Sequence, residues 1–204
     1  MMKKPRRLTF LNKFFRFPKI VEAGAVLAPW VNEWRLPYPY QLIVVVTRRC
    51  NSRCQMCNIW RQKDLPELAL SDYQHIFAKD DWGFIRSLAL TGGEPTMRND
   101  LPEIFQAVAQ NCQNLAHVYL ATSGLNTERT LGYVEQMLDF SQSNVPNLHT
   151  FQVQISVDGV GELHDKIRGV PGFFKRVQQT INGLRELQSR FPVLSIRLST
   201  VVLP

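Results

Sequence analysis

At 204 residues, with 45% hydrophobic and 20% charged side chains, the chain has the composition of a folded globular domain and not of a disordered protein. The formal net charge of +7 lies within residues 1–20, where seven Lys and Arg side chains meet no acid, and the rest of the chain carries 17 charges of each sign. This distribution argues against a uniformly basic surface for specific nucleic-acid binding, and three of four cysteines within eight positions exclude the disulfide framework of a secreted domain.

Residues 1–40 are predicted to form a basic N-terminal extension. Its cations are interleaved with Phe10, Phe14 and Phe17, whose i, i+4, i+7 spacing predicts an apolar helical face beside the positive charges. This pattern indicates contact with an anionic membrane surface or an acidic partner, and a solvated, partly disordered arm is the alternative. The apolar stretch at residues 20–31 contains an acid and a proline and is too short to span a bilayer. We therefore expect a cytoplasmic protein, at most peripheral to a membrane.

The core domain is predicted to occupy residues 41–204 and to begin with a buried strand. Residues 42–46 form a short run of mostly β-branched side chains, which is typical of a strand covered on both faces. Segments with helical signals separate the later apolar runs, so the chain alternates strand and helix in a parallel sheet. The later strands are predicted at residues 85–90, 118–121, 151–157 and 194–202.

Helix-start signals occur between the predicted strands. Ser71 is a candidate N-cap, Asp100 with Glu103 three residues later forms a candidate capping box, and Thr127 precedes a third helical run. Gly172 is predicted to precede the last helix. These signals support about five strand–helix repeats.

Polar and metal-binding motifs follow the predicted strands directly. Residues 50–57 follow the first strand, residues 91–95 the second, residues 122–124 the third, and residues 156–159 end the fourth. Because ligands bind beyond the carboxyl ends of parallel strands, we expect these four segments to converge on one rim.

Three cysteines in the first of these segments indicate a metal centre. Cys50, Cys54 and Cys57 supply three thiolates, and no fourth Cys or His completes the set nearby. Structural zinc is almost always bound by four protein ligands, and electron-transfer iron–sulfur clusters normally use four cysteines with other spacings. The pattern therefore favours a cubane cluster with one iron left open. A zinc-binding interaction module, closed by His75 or Cys112, and an electron-transfer protein are the alternatives.

The cysteine spacing, together with the GGEP segment at residues 92–95, resembles the radical S-adenosylmethionine (SAM) superfamily. The match continues through SVDG at residues 156–159 and HDKIRG at residues 164–169, which are similar to segments in molybdenum-cofactor synthases and peptide-modifying maturases. The resemblance covers roughly residues 41–202. It implies an α/β fold, a TIM-like (βα)₆ barrel of parallel strands. About five strands are present, so we expect that a sixth strand and a C-terminal portion are missing after Pro204.

The resemblance also implies a reaction. A [4Fe–4S] cluster on Cys50, Cys54 and Cys57 would bind SAM at its open iron and accept one electron from a flavodoxin- or ferredoxin-like donor. Cleavage of SAM would give methionine and a 5′-deoxyadenosyl radical, which abstracts hydrogen from a substrate that the residues do not identify. No catalytic residue is expected beyond the cluster ligands.

Five residues with expected SAM contacts lie in the GGEP and SVDG segments. Gly92 and Gly93 lack a Cβ and allow the backbone to approach a ligand closely. Glu94, or the backbone beside it, would accept hydrogen bonds from the methionine ammonium. Ser156 and Asp158 are two residues apart on a strand and share a face, where a hydroxyl could bind the ribose or carboxylate. The alternatives are a solvated Glu94 and turn capping by the last two residues.

Five further residues complete the expected SAM site. Arg98 and Arg168 could each pair bidentately with the methionine carboxylate, with a plain surface salt bridge as the alternative. Thr122 and Ser123 resemble a family segment in which asparagine usually stands at the second position. Met56 replaces a residue that is commonly aromatic and lies near the adenine, and its thioether can still pack against a ring.

Overall fold

Five parallel strands form one sheet in the part of the chain that the structure describes. The computed structural model describes residues 39–62, 66–79 and 82–202. Each strand pairs with the strand that follows it in sequence, so the spatial order of the strands is their chain order. The predicted α/β fold with parallel strands is confirmed. The strands are β1 (Gln41–Thr47), β2 (Ser87–Gly92), β3 (His117–Thr122), β4 (Thr150–Ser156) and β5 (Leu194–Ser199).

The two faces of the sheet differ in polarity. On β4, Phe151, Val153 and Ile155 are fully buried, whereas Gln152 and Gln154 between them are only half-buried. Successive side chains of a strand point to opposite faces, and the parallel register continues this alternation into the neighbouring strands. One face is therefore packed core. We call the other face, which carries the two glutamines, the inner face.

Helices cover the packed face. Phe105 lies edge-on to Phe140 and to Phe151, with ring centroids 6.0 Å apart in each pair. Edge-to-face aromatic pairs contribute about 0.5–1.5 kcal/mol beyond the burial of their area. This cluster joins the second helix, the third helix and β4. The helices of the described residues are α1 (Leu70–Lys79), α2 (Leu101–Ala109), α3 (Thr127–Asn144), α4 (Glu162–Arg168) and α5 (Phe173–Arg190), with 3₁₀ turns at Ile59–Arg61 and Pro95–Met97.

The N-termini of the first two helices lack the capping contacts that were predicted for them. Helix α1 starts one residue before Ser71, and the carboxylate of Asp72 accepts a hydrogen bond from the backbone N–H of Ala69 at 2.7 Å. Asp100 does stand at the N-cap of α2, but its side chain makes no capping hydrogen bond. Its carboxylate binds the guanidinium of Arg98 instead, so the predicted capping box is wrong.

Of the last three helices, α3 and α5 match the helical segments predicted from the sequence, whereas α4 was not predicted. Asn126 and not Thr127 caps α3, because its side chain accepts from the backbone N–H of Arg129 at 3.1 Å. Gly172 precedes α5 as predicted. Helix α4 is only seven residues long and ends at Gly169, whose left-handed φ of 69° favours glycine. Such a short helix carries too few apolar residues to show a helical period.

The described residues include the last predicted strand but almost none of the predicted N-terminal extension. Strand β5 ends at Ser199, before the predicted limit at residue 202. The predicted basic extension, residues 1–40, lies outside the described residues except for its last two, so its contact with a membrane or acidic partner stays a prediction. No helix within the described residues is long and apolar enough to cross a membrane.

Candidate active site

A cavity of about 260 Å³ opens at the carboxyl ends of the strands. The loop after β1, the ends of β2, β3 and β4, and a residue beyond β5 form its wall, so the four motif segments meet on one rim. Ten of the thirteen predicted site residues line it: Cys50, Cys54, Cys57, Met56, Gly92, Gly93, Thr122, Ser123, Ser156 and Arg168.

The three cysteines of the loop after β1 are free thiols on the wall of this cavity. Cys54 is buried, and Cys50 and Cys57 are partly exposed. Within the described residues, no three His, Cys, Asp or Glu side chains converge closely enough to hold a single metal ion. A cubane cluster requires a wider arrangement, because each thiolate binds its own iron. Three thiols around one cavity fit that requirement.

Burial is the main influence on the Cys50 thiol and raises its pKa. Hydrogen bonding by Ser52 opposes this shift, whereas the negative charges of Glu94 and Cys54 add to it. A cysteine must lose its proton to bind iron, so metal binding and deprotonation are coupled at this position.

Two glycines bring the end of β2 against the chain that leads into the cysteine loop. The backbone N–H of Gly93 donates to the carbonyl of Thr47 at 2.8 Å, and that of Glu94 donates to the carbonyl of Arg49 at 2.9 Å. A Cβ at Gly92 would lie 2.1 Å from the Thr47 oxygen, and one at Gly93 would lie 2.3 Å from the Arg49 oxygen. Both glycines line the cavity, but close backbone contact within the protein already requires them.

Helix α4 holds the other side of the cysteine loop. The backbone N–H groups of Arg53 and Gln55 donate to the carbonyls of Arg168 and Ile167 at 2.8 and 2.9 Å. A Cβ at Gly169 would lie 2.7 Å from the Arg53 oxygen. The HDKIRG segment therefore anchors the cysteine loop, a role that the sequence did not reveal.

The carboxylate of Glu94 is buried behind the cavity wall. Its Oε1 accepts from the backbone N–H and hydroxyl of Thr96 at 3.2 and 2.8 Å, and from the hydroxyl of Thr122 at 2.7 Å. Its Oε2 accepts from the backbone N–H of Ser123 at 2.7 Å. Four donors therefore already engage this carboxylate, three at Oε1 and one at Oε2. The carboxylate does not line the cavity, whereas the backbone beside it, at Gly93, does. The expected SAM contact by Glu94 or the backbone beside it stays a prediction, and this geometry favours the backbone.

Arg168 connects Asp158 to the cysteine loop. Its Nη1 lies 3.5 Å from the sulfur of Cys54, and its Nε lies 2.6 Å from Oδ2 of Asp158, an ion pair whose atoms are not aligned as a hydrogen bond. The other carboxylate oxygen of Asp158 accepts from the backbone N–H of Val201 at 2.9 Å. Arg168 reaches the cavity as predicted, whereas Asp158 is buried and does not line it, so direct SAM contact by Asp158 is not supported.

Arg98 lies away from the cavity. Its guanidinium binds both carboxylate oxygens of Asp100, at 2.8 and 2.7 Å, and donates to the carbonyls of Leu68 and Val46 at 2.8 and 3.2 Å. Hydrogen bonding to Arg98 lowers the pKa of Asp100, so the pair stays charged. The two bonds to carbonyls tie the loop after β2 to β1 and to the segment before α1, and the two bonds to Asp100 lie within the loop. The position of Arg98 outside the cavity wall does not support its predicted pairing with the SAM carboxylate.

His164 is a buried neutral residue beneath the rim. Its Nδ1 accepts from the backbone N–H of Asp158 at 3.2 Å, and its ring meets Phe173 edge-on at 5.0 Å. Burial is the main cause that lowers its pKa; the charge of Arg168 lowers it further, and Asp158 and Asp165 partly oppose the shift. The histidine therefore supports the turn after β4 and does not face the cavity.

Five further residues on the cavity wall were not predicted as site residues: Ser52, Ile59, Thr91, Ala121 and Val201. Ser52, between the first two cysteines, is buried. Ile59 and Val201 add apolar surface to the wall. The signals available in the sequence were the position of Ser52 inside the cysteine loop and that of Thr91 at the start of the segment 91–95, whereas Val201 reaches the cavity only through the fold.

Comparison with known proteins places this geometry in context. The model of the radical SAM superfamily matches residues 44–203. Fe-coproporphyrin III synthase of Methanosarcina barkeri is 30% identical over 144 residues, which are 69% of this chain and 33% of that protein. A probable GTP 3′,8-cyclase of Sulfolobus acidocaldarius is 30% identical over 132 residues, which are 63% of this chain and 41% of that protein. The chain thus spans less than half the length of these relatives.

A solved structure shows the same fold. SuiB of Streptococcus suis, crystallised with its precursor peptide SuiA, superposes with a TM-score of 0.59 at 13% identity. The match covers 100% of this chain and 40% of that one. The parallel sheet described above is thus a partial TIM-like barrel of the kind that these enzymes share.

Proposed function

Since the chain belongs to the radical SAM superfamily, whose members are enzymes that use a [4Fe–4S] cluster and SAM, we propose that Cys50, Cys54 and Cys57 hold that cluster. The observation that carries the proposal is that these three free thiols line one cavity at the carboxyl ends of the strands. Soft thiolate ligands suit an iron–sulfur cluster, and three of them leave one iron without a protein ligand.

The wall around the cysteines suits SAM. The hydroxyls of Ser52, Ser123 and Ser156 and the backbone at Gly93 offer hydrogen-bonding groups for the amino acid and ribose portions. Met56 supplies a polarizable thioether that can pack against adenine. When bound, the cluster supplies the electron that cleaves SAM to methionine and a 5′-deoxyadenosyl radical, which abstracts hydrogen from the substrate.

The protein's own residues prepare the site for this chemistry. The guanidinium of Arg168 lies 3.5 Å from the Cys54 sulfur and can donate a hydrogen bond to it. Asp158, whose side chain is fully buried, positions Arg168 through the ion pair. Ile59 and Val201 make part of the wall apolar, which limits the access of water to a reactive intermediate.

Exposed basic side chains around the cysteine loop support the proposal of an acidic electron donor. Arg48, Arg49, Arg53 and Arg61 are all exposed and flank the loop in sequence. Small one-electron donors of the flavodoxin or ferredoxin type would be steered toward such a surface by electrostatic attraction.

The test is product formation from SAM. Full-length protein, reconstituted anaerobically with iron and sulfide and then reduced, is expected to form 5′-deoxyadenosine and methionine, measured by liquid chromatography with mass spectrometry. Cys54→Ser is expected to lose the cluster and the product, whereas Cys112→Ser, which alters a buried thiol outside the cavity, is expected to keep both. Absence of 5′-deoxyadenosine from a loaded and reduced cluster would contradict the proposal.

A further inference from the structure

The inner face of the sheet carries polar side chains next to the SAM cavity. Tyr119, Gln152, Gln154 and Arg197 all line a second cavity, of about 310 Å³, on this face. The register of the sheet places Gln154 directly beside Arg197 and Gln152 directly beside Tyr119. We call this cavity the inner-face pocket.

The inner-face pocket lies next to the proposed SAM site. Thr91 and Ala121 line both cavities, so the two share a wall along β2 and β3. A molecule in the inner-face pocket would therefore lie next to the point where SAM is cleaved. This position is the one that the substrate of a hydrogen abstraction must occupy.

The polar groups of the inner-face pocket have no partners within the described part of the chain. None of the side chains of Tyr119, Gln152, Gln154 and Arg197 makes a hydrogen bond to another described residue. No described carboxylate lies within 4.0 Å of Arg197, and no acidic residue lines the pocket. Barrel interiors are usually filled by large branched side chains. Here the small Ala89 leaves room beside the polar groups.

These donors have the chemistry of an oxyanion site. A guanidinium binds carboxylate or phosphate oxygens bidentately, and the adjacent amide N–H₂ groups of Gln152 and Gln154 can donate to the same group. We propose that the inner-face pocket binds the substrate through a carboxylate or phosphate group held by Arg197 and these two glutamines. The inference rests on the proposed function, because it takes the substrate to lie beside SAM.

Equilibrium dialysis of the full-length, cluster-loaded protein in the presence of SAM tests this site. Two radiolabelled probes, pyrophosphate and glutarate, separate a phosphate-binding site from a carboxylate-binding site. We expect saturable binding of at least one probe and about a tenfold loss of affinity in Arg197→Gln. Arg197→Lys keeps the charge without the fork and is expected to lose less. Arg185→Gln removes an exposed arginine of α5 and is expected to bind the probes like the parent protein.

The outcomes separate this inference from the proposed function. SAM affinity, measured in the same samples, is expected to be equal in the parent protein, Arg197→Gln and Arg185→Gln. If SAM binds but neither probe does, or if Arg197→Gln and Arg185→Gln affect probe binding equally, the inference is overturned while the proposed function stands. If SAM itself does not bind to the loaded protein, the proposed function fails.

Discussion

Substituting Glu94 by Gln removes the negative charge, and one of the four hydrogen bonds, from the buried contact between the loops after β2 and β3. The amide oxygen of the introduced side chain can still accept the three hydrogen bonds that Thr96 and Thr122 donate to Oε1. The amide N–H₂ group, however, replaces Oε2 and faces the backbone N–H of Ser123. The introduced N–H₂ group and the backbone N–H of Ser123 are then two donors facing each other, at a residue position that is only 1% exposed to solvent.

The cost of Glu94→Gln follows from this geometry. A hydrogen bond to a charged group is worth roughly 1.5–3 kcal/mol, and a buried N–H left without an acceptor costs roughly 1–3 kcal/mol. Because these two contributions overlap, we expect a loss of about 3 kcal/mol in the free energy of unfolding. For a chain of this length, that loss lowers the melting temperature by about 6–12 °C.

Urea unfolding of the parent protein, Glu94→Gln and Glu186→Gln measures this loss. Glu186 lies exposed on α5, and its substitution is expected to change stability by less than about 0.5 kcal/mol. SAM affinity, measured well below the melting temperature, should fall only modestly in Glu94→Gln, because the carboxylate does not line the cavity. A large loss of SAM affinity with unchanged stability would contradict a structural role for the buried Glu94 carboxylate and would indicate that this carboxylate contacts SAM directly.

Three other substitutions or measurements test further parts of the account. Gly93→Ala places a Cβ 2.3 Å from the Arg49 oxygen and is expected to weaken SAM binding about tenfold or more, whereas Gly132→Ala, with no atom within 4 Å of its Cβ, should leave it unchanged. The free energy of unfolding should decline as the pH falls below about 6.5, because the pKa of His164 is lowered in the folded state and the unfolded chain takes up the proton first. The contribution of this residue to the slope of stability against pH is at most about 1.4 kcal/mol per pH unit, and it should be absent in His164→Gln. Burial raises the pKa of Cys112 to about 12, so iodoacetamide at pH 8 should leave it unmodified in the native protein and alkylate it after unfolding; rapid native alkylation would show that the thiol is accessible.

The positions of the strands and of the cysteine loop could be predicted from the sequence because both depend on local patterns. Buried strands show as apolar runs, and the carboxyl ends of parallel strands meet at one rim, so residues 50–57, 122–124 and 156–159 were placed together correctly. Helix α4 was missed because its seven residues are too few to show a helical period.

The contacts that the sequence could not show are those whose partners come from distant parts of the chain. Arg98 binds the carbonyls of Val46 and Leu68, and Glu94 binds donors on β3 and the loop after it. A charged residue in a ligand-binding motif shows its chemical type in the sequence, but the groups that already occupy it are known only once the loops are packed. The same holds for Gly93, whose close contact is with the backbone of Arg49.

The central claim is that Cys50, Cys54 and Cys57 hold a cluster whose open iron binds SAM. Electron paramagnetic resonance of the anaerobically reduced protein, recorded with and without SAM, tests it most directly. We expect the signal of a reduced [4Fe–4S] cluster that changes when SAM is added, and no such signal in Cys54→Ser. A spectrum that is identical with and without excess SAM, or a cluster signal that persists in Cys54→Ser, would contradict the claim.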